Sequence, residues 1–339
     1  MHDSARDKKT ALIVAVPETA GSSLYGMIDV LSSAGSLWNE LIGAPPRDGL
    51  IETKIVSTTT EMFDLANGIP VKPDLTIADD PCAPIVILPE IWLAPDQDLR
   101  GRYPEIMAWV KDRYRNGAWI YSACSGAVML AETGLLDGRE ATSHWGYQHL
   151  FRKSYPAVSF QPEPSLCFAV PDGRIVTAGG TSSWHDLAIH IISRHCSPGE
   201  ALRVAKVYML KIHTEGQLPF AHLVKQTPHA DSIVRACETW LKENYRETEP
   251  VARVVEHAGI PERSIKRRFK KATGETLIDR VQNLRIEEAK QLLETSEQSF
   301  EQIAFSVGYE NPGFFRNLFK RRTGLTPSQY RKMFQRLAA

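Results

Sequence analysis

Residues 319–331 read FKRRTGLTPSQYR, and the first six of them repeat an earlier stretch, FKKATG at residues 269–274. These two copies lie 50 residues apart. Upstream of each copy a second match pairs VVEHAGI (residues 254–260) with IAFSVGY (residues 303–309), now 49 residues apart, so the second copy has one extra residue in its turn. Each copy reads as an apolar helix, a glycine turn and a basic helix that ends in glycine. That order predicts two tandem helix-turn-helix units.

The segments that flank the two copies also read as helices. Leu277–Leu293 is apolar at helical spacing, which predicts one connecting helix of about 17 residues, roughly 25 Å long. A rigid helix of that length could hold two reading helices in successive major-groove segments, which lie roughly 34 Å apart along B-DNA. Thr326 and Pro327 read as the cap and first turn of a last helix, and Asp231 as the cap of the first one.

The second helix of each copy is basic on one face. In the first copy Arg263, Lys266 and Arg267 lie opposite Ile265 and Phe269. Arginine can pair with guanine and asparagine with adenine, while further basic residues suit phosphates. A solvated basic face on a helical bundle is the alternative, but the duplicated motif favours DNA recognition. The predicted DNA-binding residues are Arg263, Lys266, Arg267, Lys270, Asn311, Arg316, Asn317, Lys320 and Arg321, with Arg322 also suited to phosphate.

The charge distribution agrees with this prediction. The 339 residues hold 40 Lys and Arg and 40 Asp and Glu, so the whole chain is neutral. From Asp231 onward, however, 20 basic residues stand against 15 acidic ones, and the part before it has a net charge of −5. A basic tail behind an acidic front indicates that only the tail meets phosphate. Double-stranded promoter DNA is therefore the predicted partner.

The first two thirds of the chain alternate short apolar runs with helical patterns. Ala11–Val16, Ile85–Leu88 and Trp119–Tyr121 read as strands buried on both faces of a parallel sheet, and Tyr103–Arg115 reads as a helix between them. This order predicts an α/β, flavodoxin-like parallel sheet sandwich, followed by a second, all-α domain. We predict a sensing domain over residues 1–212, a linker over 213–230 and the tandem helix-turn-helix domain over 231–339.

Targeting and metal-binding patterns are missing from the sequence. The five cysteines are scattered without a CxxC pair, so no zinc site or disulfide framework is predicted, and a reducing compartment fits. The polar first ten residues lack the apolar core of a signal peptide, and no apolar stretch reaches the length of a membrane span. We expect a cytoplasmic protein with no cofactor, no metal and no membrane partner.

Cys124 stands where a predicted strand becomes a predicted helix. The stretch WIYSACSGAVML (residues 119–130) holds this cysteine between small residues, as in the nucleophile elbow of hydrolases. A helix N-terminus also favours a thiolate, and His144 is the candidate base. A buried cysteine and a packed histidine without chemistry are the alternative.

The last hundred residues resemble the AraC/XylS family. That family's second unit ends in Phe-basic-basic-x-x-Gly-x-x-Pro-x-x-Tyr-Arg, which stands here as Phe319 to Arg331. Pro261 replaces the usual serine at the start of the first recognition helix, and Asn317 replaces a common arginine in the second. The second departure bears on which bases the second half-site prefers.

The front part resembles the PfpI-like, class I glutamine amidotransferase-like fold, with Cys124 at the elbow and His144 at the catalytic histidine position. Its fusion to an AraC-type tail is GlxA-like and spans essentially the whole chain. Catalytic relatives also hold a carboxylate near the first strand, a position that falls on Ser23, or on the nearby Glu18. The resemblance implies an effector pocket lined by Ser23, Cys124, Ser125, His144 and Trp145.

The leading hypothesis is a ligand-responsive regulator, with activation favoured over repression, that forms a homodimer through its front domain. Relatives of this architecture sense carnitine, betaine or arginine-like metabolites, so an amino acid, a betaine or a similar small nitrogenous molecule is the expected effector. Trp145 could cage a quaternary ammonium or belong to the core. Cys124 and His144 are then vestigial. Two alternatives are a cysteine-dependent amidase or glyoxalase-like enzyme with a DNA-binding tail, and a redox sensor, for which no second cysteine lies near Cys124 in sequence.

Overall fold

The computed structural model describes residues 8–45, 48–224 and 229–335, and it divides into two compact units between Gln217 and Leu218. That division falls within the predicted linker. The first unit continues past residue 212 as far as Gln217, and the second begins at Leu218. Residues 225–228 of the linker lie outside the described residues.

The first unit is built on a seven-stranded sheet, whose order is β10-β11-β7-β6-β1-β2-β5. All neighbouring strands in it are parallel except β10 and β11, which are antiparallel. The predicted parallel sheet is therefore confirmed, with one antiparallel strand at its edge. The strands, including two small ladders (β3 with β4, β8 with β9), are β1 (Lys9–Val14), β2 (Ile51–Ser57), β3 (Phe63–Asp64), β4 (Pro70–Val71), β5 (Leu75–Thr76), β6 (Ile85–Leu88), β7 (Trp119–Ala123), β8 (Glu140–Ala141), β9 (Ser159–Phe160), β10 (Leu166–Phe168) and β11 (Ile175–Ala178).

Helices cover both faces of this sheet. All four residues of β6 are apolar because both of its faces are buried. Val86 and Leu88 belong to the core on one face of the sheet, and Ile85 and Ile87 belong to the core on the other. Residues of α3, α4 and α5 complete the first core, and residues of α1, α6 and α7 complete the second. The helices are α1 (Gly21–Ser32), α2 (Leu37–Leu41), α3 (Pro104–Arg115), α4 (Gly126–Glu132), α5 (Gln148–Ser154), α6 (Trp184–His195) and α7 (Pro198–Val207).

The described part of the second unit is helical. Asp231 caps its first helix and Thr326 caps its last, as predicted, with a complete capping box at Thr326. The predicted connecting helix is α11. The helices are α8 (Ser232–Asn244), α9 (Pro250–Ala258), α10 (Glu262–Thr273), α11 (Leu277–Thr295), α12 (Phe300–Ser306), α13 (Pro312–Thr323) and α14 (Pro327–Phe334).

The connecting helix α11 belongs to two hydrophobic cores. Leu277 and Val281 in its first half pack with buried residues of α8, α9 and α10. Ile286, Ala289 and Leu293 in its second half pack with buried residues of α12, α13 and α14. Each helix-turn-helix therefore has its own core, and one continuous helix holds the two at a fixed spacing.

Candidate nucleic-acid interface and Cys124 site

The first helix-turn-helix consists of α9, a turn at Gly259 and α10. Gly259 has a φ of 62°, in the left-handed region that favours glycine, and it ends α9. In α10, the buried Ile265 and Phe269 orient the helix so that Arg263 and Arg267 are exposed. These two arginines form no hydrogen bond or ion pair with other described residues. Both guanidinium groups are therefore free to bind an anionic or hydrogen-bonding partner.

The second helix-turn-helix consists of α12, a turn through Gly308 and α13. The extra residue predicted in this turn is present, because four positions separate Gly308 from Pro312, where only three separate Gly259 from Glu262. Asn311 was predicted to bind DNA, and its side-chain oxygen accepts a hydrogen bond from the backbone of α13 at 3.0 Å. That oxygen therefore serves as a helix cap.

The exposed face of α13 carries fewer free charges than that of α10. Asn317 and Lys320 are exposed, opposite the buried Phe315. Arg316 is also exposed, but its guanidinium forms a 2.6 Å ion pair with Glu301. We define the recognition surface as the exposed residues of α10 and α13 that were predicted to bind DNA, which are Arg263, Lys266, Arg267, Lys270, Arg316, Asn317, Lys320 and Arg321.

Arg285 of α11 ties the two helix-turn-helix units together, a role that the sequence did not suggest. It is 7% exposed, and its three guanidinium nitrogens donate hydrogen bonds to the carbonyl oxygens of Tyr245 (2.7 Å), Gly308 (2.9 Å) and Glu247 (2.9 Å). Gly308 lies in the turn of the second unit, whereas Tyr245 and Glu247 precede α9 of the first. Arg322, predicted to bind phosphate, forms a 2.6 Å ion pair with Asp279 of α11 instead.

In the first unit, Cys124 occupies the predicted elbow. It lies between β7 and α4 with a φ of 50°, which non-glycine residues seldom adopt. Gly126 makes the turn possible, because a Cβ atom there would lie 2.2 Å from the carbonyl oxygen of Leu88. The local sequence therefore holds the thiol at the carboxyl end of the sheet, where open α/β folds bind ligands.

A carboxylate does accompany Cys124, and it belongs to Glu90. The thiol donates to Glu90 Oε1 at 3.5 Å, and Thr181 donates to the same oxygen at 3.2 Å. Among the described residues, neither Ser23 nor Glu18, the positions expected from the resemblance, forms a hydrogen bond with the thiol. Glu18 instead pairs with Arg102 and accepts a hydrogen bond from Tyr103. Glu90 follows β6 directly, so the sheet edge brings it beside Cys124 from a distant part of the sequence.

Two of the predicted pocket residues, Ser23 and Ser125, bond to the backbone of the segment that carries Glu90. Ser23 is fully buried, and its hydroxyl oxygen accepts a hydrogen bond from the Glu90 backbone at 3.2 Å. Ser125 is also fully buried, and its hydroxyl oxygen accepts from the Ile91 backbone at 2.9 Å. Both hydroxyl groups are buried and bonded to the backbone that follows β6. Both serines fix the segment that follows β6.

The electrostatics of the site disfavour a reactive thiolate. Burial, and then the neighbouring Glu90 carboxylate, raise the pKa of the Cys124 thiol. Burial also raises the pKa of Glu90 and lowers the pKa of His144. A thiol is activated when its pKa falls, typically beside a cation. The pKa of Cys124 moves in the opposite direction.

His144 is arranged differently from a catalytic base. Its Nδ1 accepts a hydrogen bond from the Gly146 backbone at 3.0 Å, so the proton of the neutral ring lies on Nε2. Among the described residues the thiol of Cys124 bonds to Glu90, and no hydrogen bond joins it to His144. The His144 ring is thus bonded to backbone and not to the thiol.

Aromatic rings and one unpaired oxygen complete what we call the Cys124 site. The His144 ring lies 4.8 Å from that of Trp145 and 6.2 Å from that of Tyr147, measured between centroids. Glu90 Oε2 is buried and has no hydrogen-bond partner among the described residues. A buried carboxylate oxygen without a partner is costly, so the site offers a place for a donor or a cation. The Cys124 site consists of Glu90, Cys124, His144, Trp145 and Tyr147.

Gln217, the last residue of the first unit, is anchored beside this site. It is 4% exposed, and its Nε2 lies 3.0 Å from the carbonyl oxygen of Ser143 and 3.1 Å from that of Pro164. Its Oε1 accepts a hydrogen bond from the backbone of Trp145 at 3.2 Å. The backbone that carries His144 and Trp145 is therefore bonded to the end of the first unit. Nothing in the sequence marked this glutamine, because it lies in a stretch that reads as a linker.

The next residues of the chain bind to the second unit. The Leu223 backbone donates to Glu287 of α11 at 2.9 Å, and Lys290 of the same helix donates to the Ala221 carbonyl at 2.7 Å. Phe220 packs edge to face against Phe334 of α14. The segment 218–223 is thus attached to the helix that joins the two helix-turn-helix units.

The described residues contain no group of three metal-ligating side chains that could hold an ion. The described helices include none that is both long and apolar enough to cross a membrane.

Comparisons with known proteins match both units. The model of the DJ-1/PfpI family matches residues 9–194, and that of a helix-turn-helix domain matches residues 254–333. The HTH-type transcriptional regulator CdhR of Pseudomonas aeruginosa is 31% identical over 238 residues, covering 69% of this chain and 69% of that protein. The HTH-type transcriptional regulator GlxA of Rhizobium meliloti is 29% identical over 223 residues, covering 64% and 66%.

Two further similarities extend over part of the chain. Isonitrile hydratase of Pseudomonas putida is 24% identical over 179 residues, which cover 51% of this chain and 66% of that enzyme. A crystal structure from Vibrio parahaemolyticus, described as a transcriptional regulator, has a TM-score of 0.50 at 17% identity and covers 60% of this chain and all of its own. The chain therefore spans about two thirds of the length of its curated relatives.

Proposed function

The chain belongs to the DJ-1/PfpI family and is a helix-turn-helix transcriptional regulator, and we propose that its first unit binds a small nitrogenous effector without chemistry and thereby controls DNA binding. The regulators that it resembles combine the same two parts. The effector class, the lack of chemistry and the route between the two units are the proposed elements.

The observation that carries the proposal is the position of Gln217. Its side chain holds the backbone of Ser143 and Trp145 at the Cys124 site. Within the next six residues, Phe220, Ala221 and Leu223 contact α11 or α14. A ligand that shifts the backbone at Trp145 changes the hydrogen bonds of Gln217. Because Leu218 follows Gln217 directly, that change shifts the backbone of segment 218–223. The ligand then favours one arrangement of the regulator over another.

The proposed effector carries a cationic nitrogen. Glu90 Oε2 is buried without a partner, and a cation beside it would lower the energy of the ionised carboxylate. The rings of Trp145 and Tyr147 flank His144 and supply aromatic surface, which attracts cations. An amino acid, a betaine or a polyamine has this chemistry.

The absence of chemistry is supported by the state of the thiol. Burial raises the pKa of Cys124, its thiol donates a hydrogen bond to Glu90, and among the described residues no hydrogen bond joins it to His144. A cysteine nucleophile requires a thiolate at neutral pH. In this proposal Cys124 completes the packing of the effector site.

Cys124→Ala in the full chain tests this proposal. Amino acids, betaines and polyamines are first screened for compounds that raise the melting temperature of the wild-type protein. We expect a compound that stabilises the protein and changes its affinity for DNA, and we expect Cys124→Ala to keep both responses. Glu90→Ala, as the matched variant, should lose them. If no nitrogenous compound acts, or if Cys124→Ala alone loses the response, the proposal is wrong.

A cysteine-dependent enzyme is the second candidate, because the elbow is formed and an isonitrile hydratase is among the relatives. The chain provides an internal standard for it, since Cys82 is exposed and Cys124 is buried. We expect iodoacetamide at pH 7.5 to label Cys82 at least about 100-fold faster than Cys124, because the thiolate fraction falls tenfold for each unit of raised pKa. Faster labelling of Cys124 would favour the enzyme.

A homodimer through the first unit is part of the proposal. The edge strand β10 leaves Phe168 52% exposed, and an exposed apolar residue on an open strand edge can pair with a second copy. Light scattering of Phe168→Lys should show a monomer where the wild type is a dimer. A dimer in both proteins would place the interface elsewhere.

A further inference from the structure

The two recognition helices carry different side chains at equivalent positions. The 50-residue repeat aligns Arg263 with Gly313, Ser264 with Phe314, and Arg267 with Asn317. All six of these residues precede Phe269 and Phe319, which occupy equivalent positions in the two copies, are fully buried and fix the rotation of each helix in its unit. The N-terminal part of the second helix of such a unit contacts base edges in the major groove. The two helices therefore present different chemistry to the same part of their grooves.

Phe314 is the most unusual side chain on this part of α13. It is 54% exposed, although its neighbour Phe315 is fully buried. Asn317 lies one turn further along the same face of the helix and is also exposed. The Phe314 ring lies 6.0 Å from that of Tyr309, measured between centroids, and more than half of the residue is exposed to solvent. Its position suits contact with an apolar group of a partner.

The charged residue nearest to this pair is held away from it. Arg316 forms its ion pair with Glu301 of α12, and its guanidinium lies 5.6 Å from the centre of the Phe300 ring. Gly313 has no side chain, so nothing at that position separates the helix from a groove. Apart from Arg316, the exposed side chains at the start of α13 are therefore one aromatic ring and one carboxamide. The start of α10 has two free guanidinium groups instead.

These groups correspond to different bases. Arginine pairs with guanine, asparagine pairs with the N6 and N7 of adenine, and an apolar side chain packs on the C5-methyl of thymine. We propose that the second helix-turn-helix reads an A·T-containing half-site, in which Phe314 packs on a thymine methyl and Asn317 pairs with an adenine. The first helix-turn-helix reads a guanine-containing half-site through Arg263 and Arg267. The operator is thus asymmetric in base composition.

The test begins by selecting binding sites from random double-stranded DNA with the full chain. We expect one half-site with guanines and one with adenine and thymine, their centres about one helical turn apart. Each thymine of the second half-site is then replaced by uracil, which removes only the C5-methyl. One replacement should weaken binding by the wild type about fourfold, the value for one buried methyl group.

Phe314→Ala and Phe305→Ala distinguish the proposed contact from a general loss of apolar surface. Phe305 is 59% exposed but belongs to α12. Phe314→Ala should bind the thymine and uracil sites equally, whereas Phe305→Ala should keep the fourfold difference. In Asn317→Ala, the ratio of the affinity for adenine to the affinity for other bases at the paired position should fall about tenfold.

Each other outcome has a definite meaning. A second half-site of G·C pairs overturns the inference, and so does a uracil effect that Phe314→Ala retains. If selection enriches no sequence at all, specific DNA binding itself fails. A response to thymine methyls that is lost in Phe305→Ala alone would assign the contact to α12 and contradict the role of Phe314.

Discussion

The recognition surface and the Cys124 site use their polar side chains in opposite ways. On the recognition surface, Arg263, Arg267 and Asn317 are exposed and form no ion pair with described residues. At the Cys124 site, the thiol and His144 are buried or half-buried and are bonded within the protein. A site that binds a large polyanion presents its charges in advance, because association is steered by them. At the Cys124 site the thiol and the His144 ring are bonded instead to Glu90 and to the Gly146 backbone.

The same difference is seen between two arginines of the second unit, one of which stabilises the fold while the other is available to bind DNA. Arg285 and Arg267 are both arginines of the second unit. Arg285 is buried with three hydrogen bonds to carbonyl oxygens, whereas Arg267 is exposed without a partner. The comparison therefore predicts that one of them affects folding and the other affects DNA affinity.

The largest expected effect is that of Arg285→Met. The substitution leaves the carbonyl groups of Tyr245, Glu247 and Gly308 without their donor. We expect the free energy of unfolding of the helical unit to fall by about 3 to 5 kcal/mol. Urea unfolding of the full chain, followed by circular dichroism, measures the change.

Arg253→Ala is its control, because Arg253 pairs with Glu247 at the surface and the two side chains are 53% and 39% exposed. An exposed ion pair contributes less than about 1 kcal/mol. Equal destabilisation by the two substitutions would show that Arg285 does not hold the units together.

Local patterns predicted most of the second unit. The glycine turns, the capping residues and the apolar spacing of α11 are all encoded within a few neighbouring positions, and the structure confirms them. The role of Arg285 was not predicted, because a basic residue on a long helix usually reads as solvated. Its three partners lie up to 40 residues away in sequence.

The Cys124 site was predicted only in part for the same reason. The elbow depends on adjacent small residues and was predicted from them. Glu90 comes from another strand, 34 positions before Cys124, and only the parallel order of β6 and β7 brings the two together. A search for polar residues at the end of each predicted strand would have found it, since parallel strands end at one edge. Gln217 carries no such signal.

The next effect in size is that of Arg267→Ala on DNA affinity. Loss of a bidentate contact to guanine should weaken binding to the selected site by about 10-fold to 100-fold, with no change in the unfolding midpoint. Fluorescence anisotropy at one fixed salt concentration measures it.

Lys242→Ala removes an equal charge from an exposed position on α8, outside the recognition surface. It should weaken binding only slightly and equally for all sequences. A loss as large as that of Arg267→Ala would mean that net charge, and not a base contact, explains the result.

The smallest expected effect is that of Glu90→Gln on the pH dependence of stability. Burial raises the pKa of Glu90 above its ordinary 4.5, so the folded protein binds this proton more tightly than the unfolded chain does. Wild-type stability should therefore fall as the pH rises from 4.5 through the raised pKa. Thermal melts should show this decline, about 2 °C, in the wild type and not in Glu90→Gln. A decline that is unchanged in the variant would mean that Glu90 ionises freely.

The most direct test of the central claim, that the Cys124 site controls the recognition surface through Gln217, is the effect of an effector on DNA affinity in Gln217→Met. The substitution keeps the length of the side chain and removes its hydrogen bonds to Ser143, Pro164 and Trp145. Gln161→Met, which removes hydrogen bonds to Glu140 and Ser159 in the same unit, is the control.

We expect the effector to raise the melting temperature of all three proteins. It should change operator affinity at least about fivefold in the wild type and in Gln161→Met, the lower end of ordinary coupling energies, and by less than about twofold in Gln217→Met. A full response in Gln217→Met would contradict the claim.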